Sequence, residues 1–141
     1  MPELTTPPVL DASAFLAYLG NETGADIVAD AIAGGAVIAT VNLAEALSTL
    51  ASRGKNPTAV AAQLTERGLL DGAIAVEPFT TADAVEAARL RPLTRHAGLS
   101  LADRGCLAVA RRLSTAALTA DQAWSGLALG VDVHTIRGPA Q

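Results

Sequence analysis

The stretch AVIATVNLAEALSTLASRG, residues Ala36 to Gly54, sets two periodicities back to back. Its opening residues, AVIAT, form an apolar run closed by Thr40, the composition of a strand buried on both faces. From Asn42 the spacing becomes that of a helix: Leu43, Leu47 and Leu50 make one stripe, and Gly54 supplies the stop. A strand feeding directly into a helix is the unit of a parallel sheet, because parallel neighbours need crossover connections.

The unit recurs on both sides of this stretch. PVLDA is a short strand ending in Asp11, and SAFLAYL has the spacing of a following helix. GADIVADAIAGG is a second helix, with Ile27, Ala31 and Ile32 on one face and Gly34 or Gly35 as its stop. Beyond Gly54, Asn56 and Pro57 open the helix PTAVAAQLTERG in cap and first-turn positions. AIAVEPF is a third strand, and Thr80 with Asp83 starts TADAVEAARLR, which Pro92 terminates. After a basic loop come the helix SLADRGCLAVARRL, the strand AALTA, a helix DQAWSGLALG and a final strand DVHTI. Five strands alternating with about six helices predict an α/β fold, a parallel sheet covered by helices on both faces. There is no internal repeat.

At 141 residues, half of them apolar, the chain fits a single domain over residues 1–141 with an ordinary core. Cys106 is the only cysteine, which excludes an intrachain disulfide, suits a reducing compartment and predicts a buried, inert thiol. The N-terminus MPELTTPP carries an acid and prolines where a secretory leader needs a basic then apolar run. Nothing approaches the roughly 18 apolar residues of a membrane span, so the expectation is a soluble, cytoplasmic protein with no membrane partner.

The net charge of −4 argues weakly against a polyanionic partner, yet the distribution argues the other way. Six of the ten basic residues, Arg89, Arg91, Arg95, Arg104, Arg111 and Arg112, share a 24-residue window whose only acid is Asp103. That is the composition of an arginine face for phosphate, and equally of a solvated helix surface.

In such a sheet the loops that follow strands gather on one edge, where ligands bind. Asp11 ends the first strand, Glu45 falls in the first turn of the helix after the second, and Asp121 follows AALTA directly. Asp103 lies in the first turn of the helix leading into that strand, and topology alone does not assign it to the same edge. Each acid also has a local reading. Ser100 with Asp103 and Asn42 with Glu45 match capping boxes, Asp121 suits an N-cap, and Asp11 suits the turn before Ser13. Thr80 with Asp83 has the same form and suggests no chemistry. Capping contributes about 1 kcal/mol each and explains the acids one at a time. The helical wheel puts Glu45 with Asn42, Ser48 and Ser52 on a polar face opposite the leucines.

Taken together, four clustered carboxylates need a cation to offset their repulsion. Oxygen-only ligands suit Mg²⁺ or Mn²⁺. One cysteine and the distant His96 and His134 lack zinc-ligand spacing. Phe15, Tyr18, Phe79 and Trp124 sit in settings that favour core packing over base stacking.

The ordered segments VLDASAFLAYL, TVNLAEALSTL, GLSLADRGCLAVARR and LTADQAW resemble the PIN-domain nucleases, most closely the VapC-type toxins of bacterial toxin–antitoxin pairs, from about Val9 to Arg137. The resemblance implies a three-layer α/β/α PIN-like domain with a central parallel sheet of about five strands. It carries the family's acidic quartet onto Asp11, Glu45, Asp103 and Asp121 as catalytic, metal-holding residues, with Asp11 and Asp103 as the usual direct ligands. Ser13, Asn42 and Thr119 look like the small polar residues that surround such sites. The implied activity is Mg²⁺- or Mn²⁺-dependent endoribonuclease action, in which metal-activated water leaves a 5′-phosphate. In that reading Arg104, Arg111 and Arg112 hold RNA beside the cut. A cognate VapB-type antitoxin and a homodimer are implied as well.

The alternative is a non-catalytic RNA-binding or interaction module of this fold, with the acids serving only as caps. Two other phosphate-handling classes fit less well. A receiver-type switch wants paired acids after the first strand and a lysine near the last, but Asp11 stands alone and Lys55 is the only lysine. A haloacid-dehalogenase-like phosphatase wants an acid where Ser13 stands.

Overall fold

The computed structural model describes residues 6–138. Residues 1–5, which carry part of the leader argument, and residues 139–141 lie outside it. Strands β1 (Val9–Leu10), β2 (Ala36–Ala39), β3 (Ile74–Glu77), β4 (Ala117–Thr119) and β5 (Val133–Thr135) form one parallel sheet in the order β3-β2-β1-β4-β5. Leu10 pairs with Ile38 on one side and with Leu118 on the other. Because strand side chains alternate, these residues and Ile74 face one layer, and Val9, Val37, Ala39 and Ala117 face the other.

The first layer contains α1 (Ala12–Leu19), α2 (Ala25–Ala33), α3 (Thr40–Ser52) and α4 (Pro57–Glu66), which contribute Phe15, Val28, Ile32, Ala46 and Leu64. The second contains α5 (Thr81–Thr94) and α6 (Leu101–Arg112), with Leu90, Cys106, Leu107, Val109 and the buried Trp124. The result is the expected three-layer α/β/α arrangement. Among the described residues no helix is long and apolar enough to cross a membrane.

Most element starts follow from the caps read in the sequence. Asn56 accepts from the Ala59 amide with Pro57 behind it, and Thr80 with Asp83 closes a reciprocal capping box. Three elements differ from expectation. First, α3 begins at Thr40, straight off β2, with no side-chain cap at Ala39; Asn42 and Glu45 are therefore inside the helix. Second, Pro92 does not end α5, which runs on to Thr94. The proline forfeits one bond to the Ala88 carbonyl on an exposed face, where water replaces it, and the Thr94 hydroxyl donates to the Leu90 carbonyl at 2.9 Å. Third, DQAWSGLALG forms only a 3-10 turn, Gln122–Trp124. Gly126 (φ 78°) and Gly130 (φ 75°) take left-handed conformations that interrupt a helix, and burial of Trp124 anchors the segment instead.

Gly105 sets how closely α6 approaches α3. A Cβ there would stand 2.8 Å from Val41 Cγ1 and 3.2 Å from Phe79 Cε2. Gly105→Ala is expected to cost about 1–3 kcal/mol through overpacking. Urea unfolding measures it, and no loss of stability would mean that Val41 simply moves aside.

Candidate active site

β1 is central, and the chain leaves it toward β2 on one side and reaches β4 on the other. The edge at the ends of these strands is the sheet's switch point. Asp11 follows β1 immediately, Asp121 lies two residues beyond β4, and α3 brings Asn42 and Glu45 directly from the end of β2. α6 reaches β4 through residues 113–116 only, so it runs back over the sheet from the edge where the strands end. Its first turn is fixed there by the buried Asn42, whose Nδ2 donates to the Ala102 carbonyl at 3.0 Å. Topology thus does place Asp103 with the other three acids, contrary to the sequence reading.

Asp11 is 3% exposed and fully engaged. Its Oδ1 accepts from the Ala14 amide at 2.8 Å, capping α1, and from the Ser13 hydroxyl at 2.7 Å. Its Oδ2 accepts from the Thr119 hydroxyl at 2.5 Å. The two hydroxyl oxygens in turn accept the consecutive amides of Ala120 (2.9 Å) and Asp121 (3.0 Å). The β4 turn is thereby tied to both oxygens of Asp11. Burial pushes the Asp11 carboxyl up to about 6; the three hydrogen bonds oppose this, and the charge of Asp103 adds to it.

Asp103 forms the capping box expected of it: its Oδ2 accepts from the Ser100 amide at 2.8 Å, and its amide donates to Ser100 Oγ at 3.1 Å. Burial raises its pKa, as does Asp121, while the cap bonds and the Arg104 charge pull the other way. Asp121 caps the 3-10 turn by accepting from the Ala123 amide at 2.9 Å. Glu45, in contrast, caps nothing, because α3 starts five residues earlier. Its half-buried carboxyl is raised by burial, then by Asp103 and Asp11. The face it shares with Asn42 packs on α6 rather than facing water alone. Cys106, one turn beyond Asp103, is fully buried, and burial together with the charges of Asp11, Asp103 and Glu45 pushes its thiol well up, as an inert thiol requires.

Four carboxylates from four elements therefore share one field, with only oxygen donors around them and a buried, unpartnered Asn42 Oδ1 nearby. Hard oxygens and mutual repulsion fit Mg²⁺ or Mn²⁺. The caps hold the acids apart: among the described residues no three His, Cys, Asp or Glu side chains are gathered closely enough to share an ion.

The three arginines expected at RNA have different settings. Arg104 is buried, with Nη1 donating to the Ala87 carbonyl at 2.7 Å, so it does not belong to an exposed phosphate face. Arg112 clamps Asp83 through Nε (2.9 Å) and Nη2 (3.0 Å) and reaches Glu77 at 2.9 Å. Burial alone would raise the Asp83 carboxyl; the Arg112 and Thr80 hydrogen bonds overcome it and hold the group low. Arg111 is half-exposed, 3.5 Å from Glu86. Arg112→Met is expected to cost about 2 kcal/mol of stability by unpairing Asp83. Thermal unfolding checks this, and a loss of RNA binding at unchanged stability would assign Arg112 to the substrate instead.

A model of the PIN domain matches residues 9–128. Among solved structures, the chain is similar to DNA-bound VapBC from Salmonella typhimurium, with a TM-score of 0.66 and 12% identity over 94% of this chain and 100% of that one. A toxin–antitoxin complex from Klebsiella pneumoniae gives 0.65 and 13% over 92% and 98%. FitAcB from Neisseria gonorrhoeae gives 0.59 and 20% over 91% and 96%. At these identities the likeness is one of fold. No curated protein matches the sequence. With its parallel sheet ordered β3-β2-β1-β4-β5 and the domain match running over residues 9–128, the chain belongs to the PIN domain family.

Proposed function

We propose that this protein is a metal-dependent endoribonuclease, a single-domain VapC-type toxin acting on RNA in the cytoplasm and restrained by a VapB-type antitoxin. The observation that carries the reading is the meeting of Asp11, Glu45, Asp103 and Asp121 at the switch-point edge, where each of three raised carboxyls feels at least one of the others. These four would hold one or two Mg²⁺ or Mn²⁺ ions. When bound, the metal acidifies a water and neutralises charge on the phosphodiester. Ser13 and Thr119 fix the direction of Asp11, and Asn42 keeps the start of α6 at the edge. Glu45, free of any cap, is the carboxylate available to accept a proton from the attacking water. Arg111 has the exposure to meet a flanking phosphate. The antitoxin, and a homodimer, are supported by likeness to structures described as VapBC and toxin–antitoxin complexes.

The test is incubation of the purified chain with cellular RNA in Mg²⁺ or in EDTA. Expected are metal-dependent fragments bearing 5′-phosphates, together with growth arrest on expression that a neighbouring small gene relieves. One observation favours a second reading: Asp11, Asp103 and Asp121 are all accounted for as caps. RNA binding without cleavage by the metal-loaded protein would establish that binding module in place of the enzyme.

A further inference from the structure

Arg104 is a cation in an unfavourable place. It follows Asp103 in α6, at the helix end whose unpaired amides disfavour positive charge. It is 5% exposed, and among the described residues it forms no ion pair. Its Nη1 has the Ala87 carbonyl, and its Nε has no partner. One neutral carbonyl does not compensate a buried guanidinium. The other arginines of α6 are occupied elsewhere, Arg111 by Glu86 and Arg112 by Asp83 and Glu77. What remains to favour Arg104 is the negative field of the acid edge beside it.

We propose that Arg104 is the internal countercharge of that edge, a positioning residue that holds Asp103 and the start of α6 against the repulsion of Asp11, Glu45 and Asp121. Asp103 feels its charge directly. The Ala87 bond ties the guanidinium to α5, so the charge is anchored from the helix next door. The inference deepens the metal-dependent reading and rests on it for the role of the edge, but the charge balance itself belongs to the metal-free chain.

A double-mutant cycle in EDTA tests it, with thermal unfolding as the readout for wild type, Arg104→Gln, Asp103→Asn and the double variant. Arg104→Gln is expected to lower Tm by roughly 6–12 °C. In the Asp103→Asn background the loss is expected to be less than half as large. Arg104→Lys, which keeps the charge and loses the fork, falls between wild type and Arg104→Gln. Equal losses in both backgrounds would overturn the proposal and assign the side chain to packing. If Arg104→Gln does not fold, recovery of folding in the double variant supports the countercharge, and a double variant equally unfolded refutes it. Adding MnCl₂ separates the two readings. A Tm rise in wild type that Asp103→Asn removes upholds metal binding; no rise removes that reading, while the cycle still judges Arg104.

Discussion

Asp103→Asn is expected to leave the fold standing and to lower RNA cleavage by about 10³-fold, which corresponds to roughly 4 kcal/mol on the barrier. Asparagine matches aspartate in size, and its side-chain oxygen still accepts from the Ser100 amide, so the capping box keeps its main acceptor. What disappears is the charge that Asp11 and Glu45 both feel and that the proposed metal needs. The measurement pairs a cleavage assay in saturating Mg²⁺ with circular dichroism on the same sample. Full activity would remove Asp103 from the metal set. Loss of helical signal would show that the cap is its main role.

The second large effect concerns pH. Burial first, against three hydrogen bonds, raises the Asp11 carboxyl from 3.8 to about 6. A carboxyl raised in the folded state favours folding while protonated, so its contribution is complete below about pH 4 and is lost as pH rises through 6. The difference is worth about 3 kcal/mol. In EDTA, wild type is therefore expected to lose stability relative to Asp11→Asn between about pH 4 and pH 7. With MnCl₂ the trend reverses, because the ion binds only the ionised group. Thermal unfolding of both proteins across this range, with and without MnCl₂, gives the comparison. Parallel pH curves in EDTA would mean that Asp11 ionises without cost.

Residues whose local rule and tertiary setting agree were legible from sequence. The strands around Val9, Val37 and Leu118, the Asn56 and Thr80 caps, and the alternation that builds three layers all follow from period and punctuation. Asp103 was harder. Its capping box was plain, but its place at the edge follows from the short link between α6 and β4, which forces the helix back over the sheet. Asn42 and Glu45 look like a cap in sequence because nothing local reveals that α3 starts at Thr40 with no cap at all. Arg104, Arg111 and Arg112 read as one basic face, yet burial and ion pairing divide them, and both depend on α5, whose contact with α6 no spacing rule predicts. The Trp124 segment failed as a helix because two glycines outweighed its apolar pattern.

Three of the four acids start a helix or turn as well as charging the edge. Most replacements at these positions therefore damage folding and chemistry together. Aspartate to asparagine is the exception: it is a single-base change that keeps the capping oxygen and discards the charge. A cell that must survive such a gene has, in that one class of substitution, a route to a chain that still folds and no longer cuts.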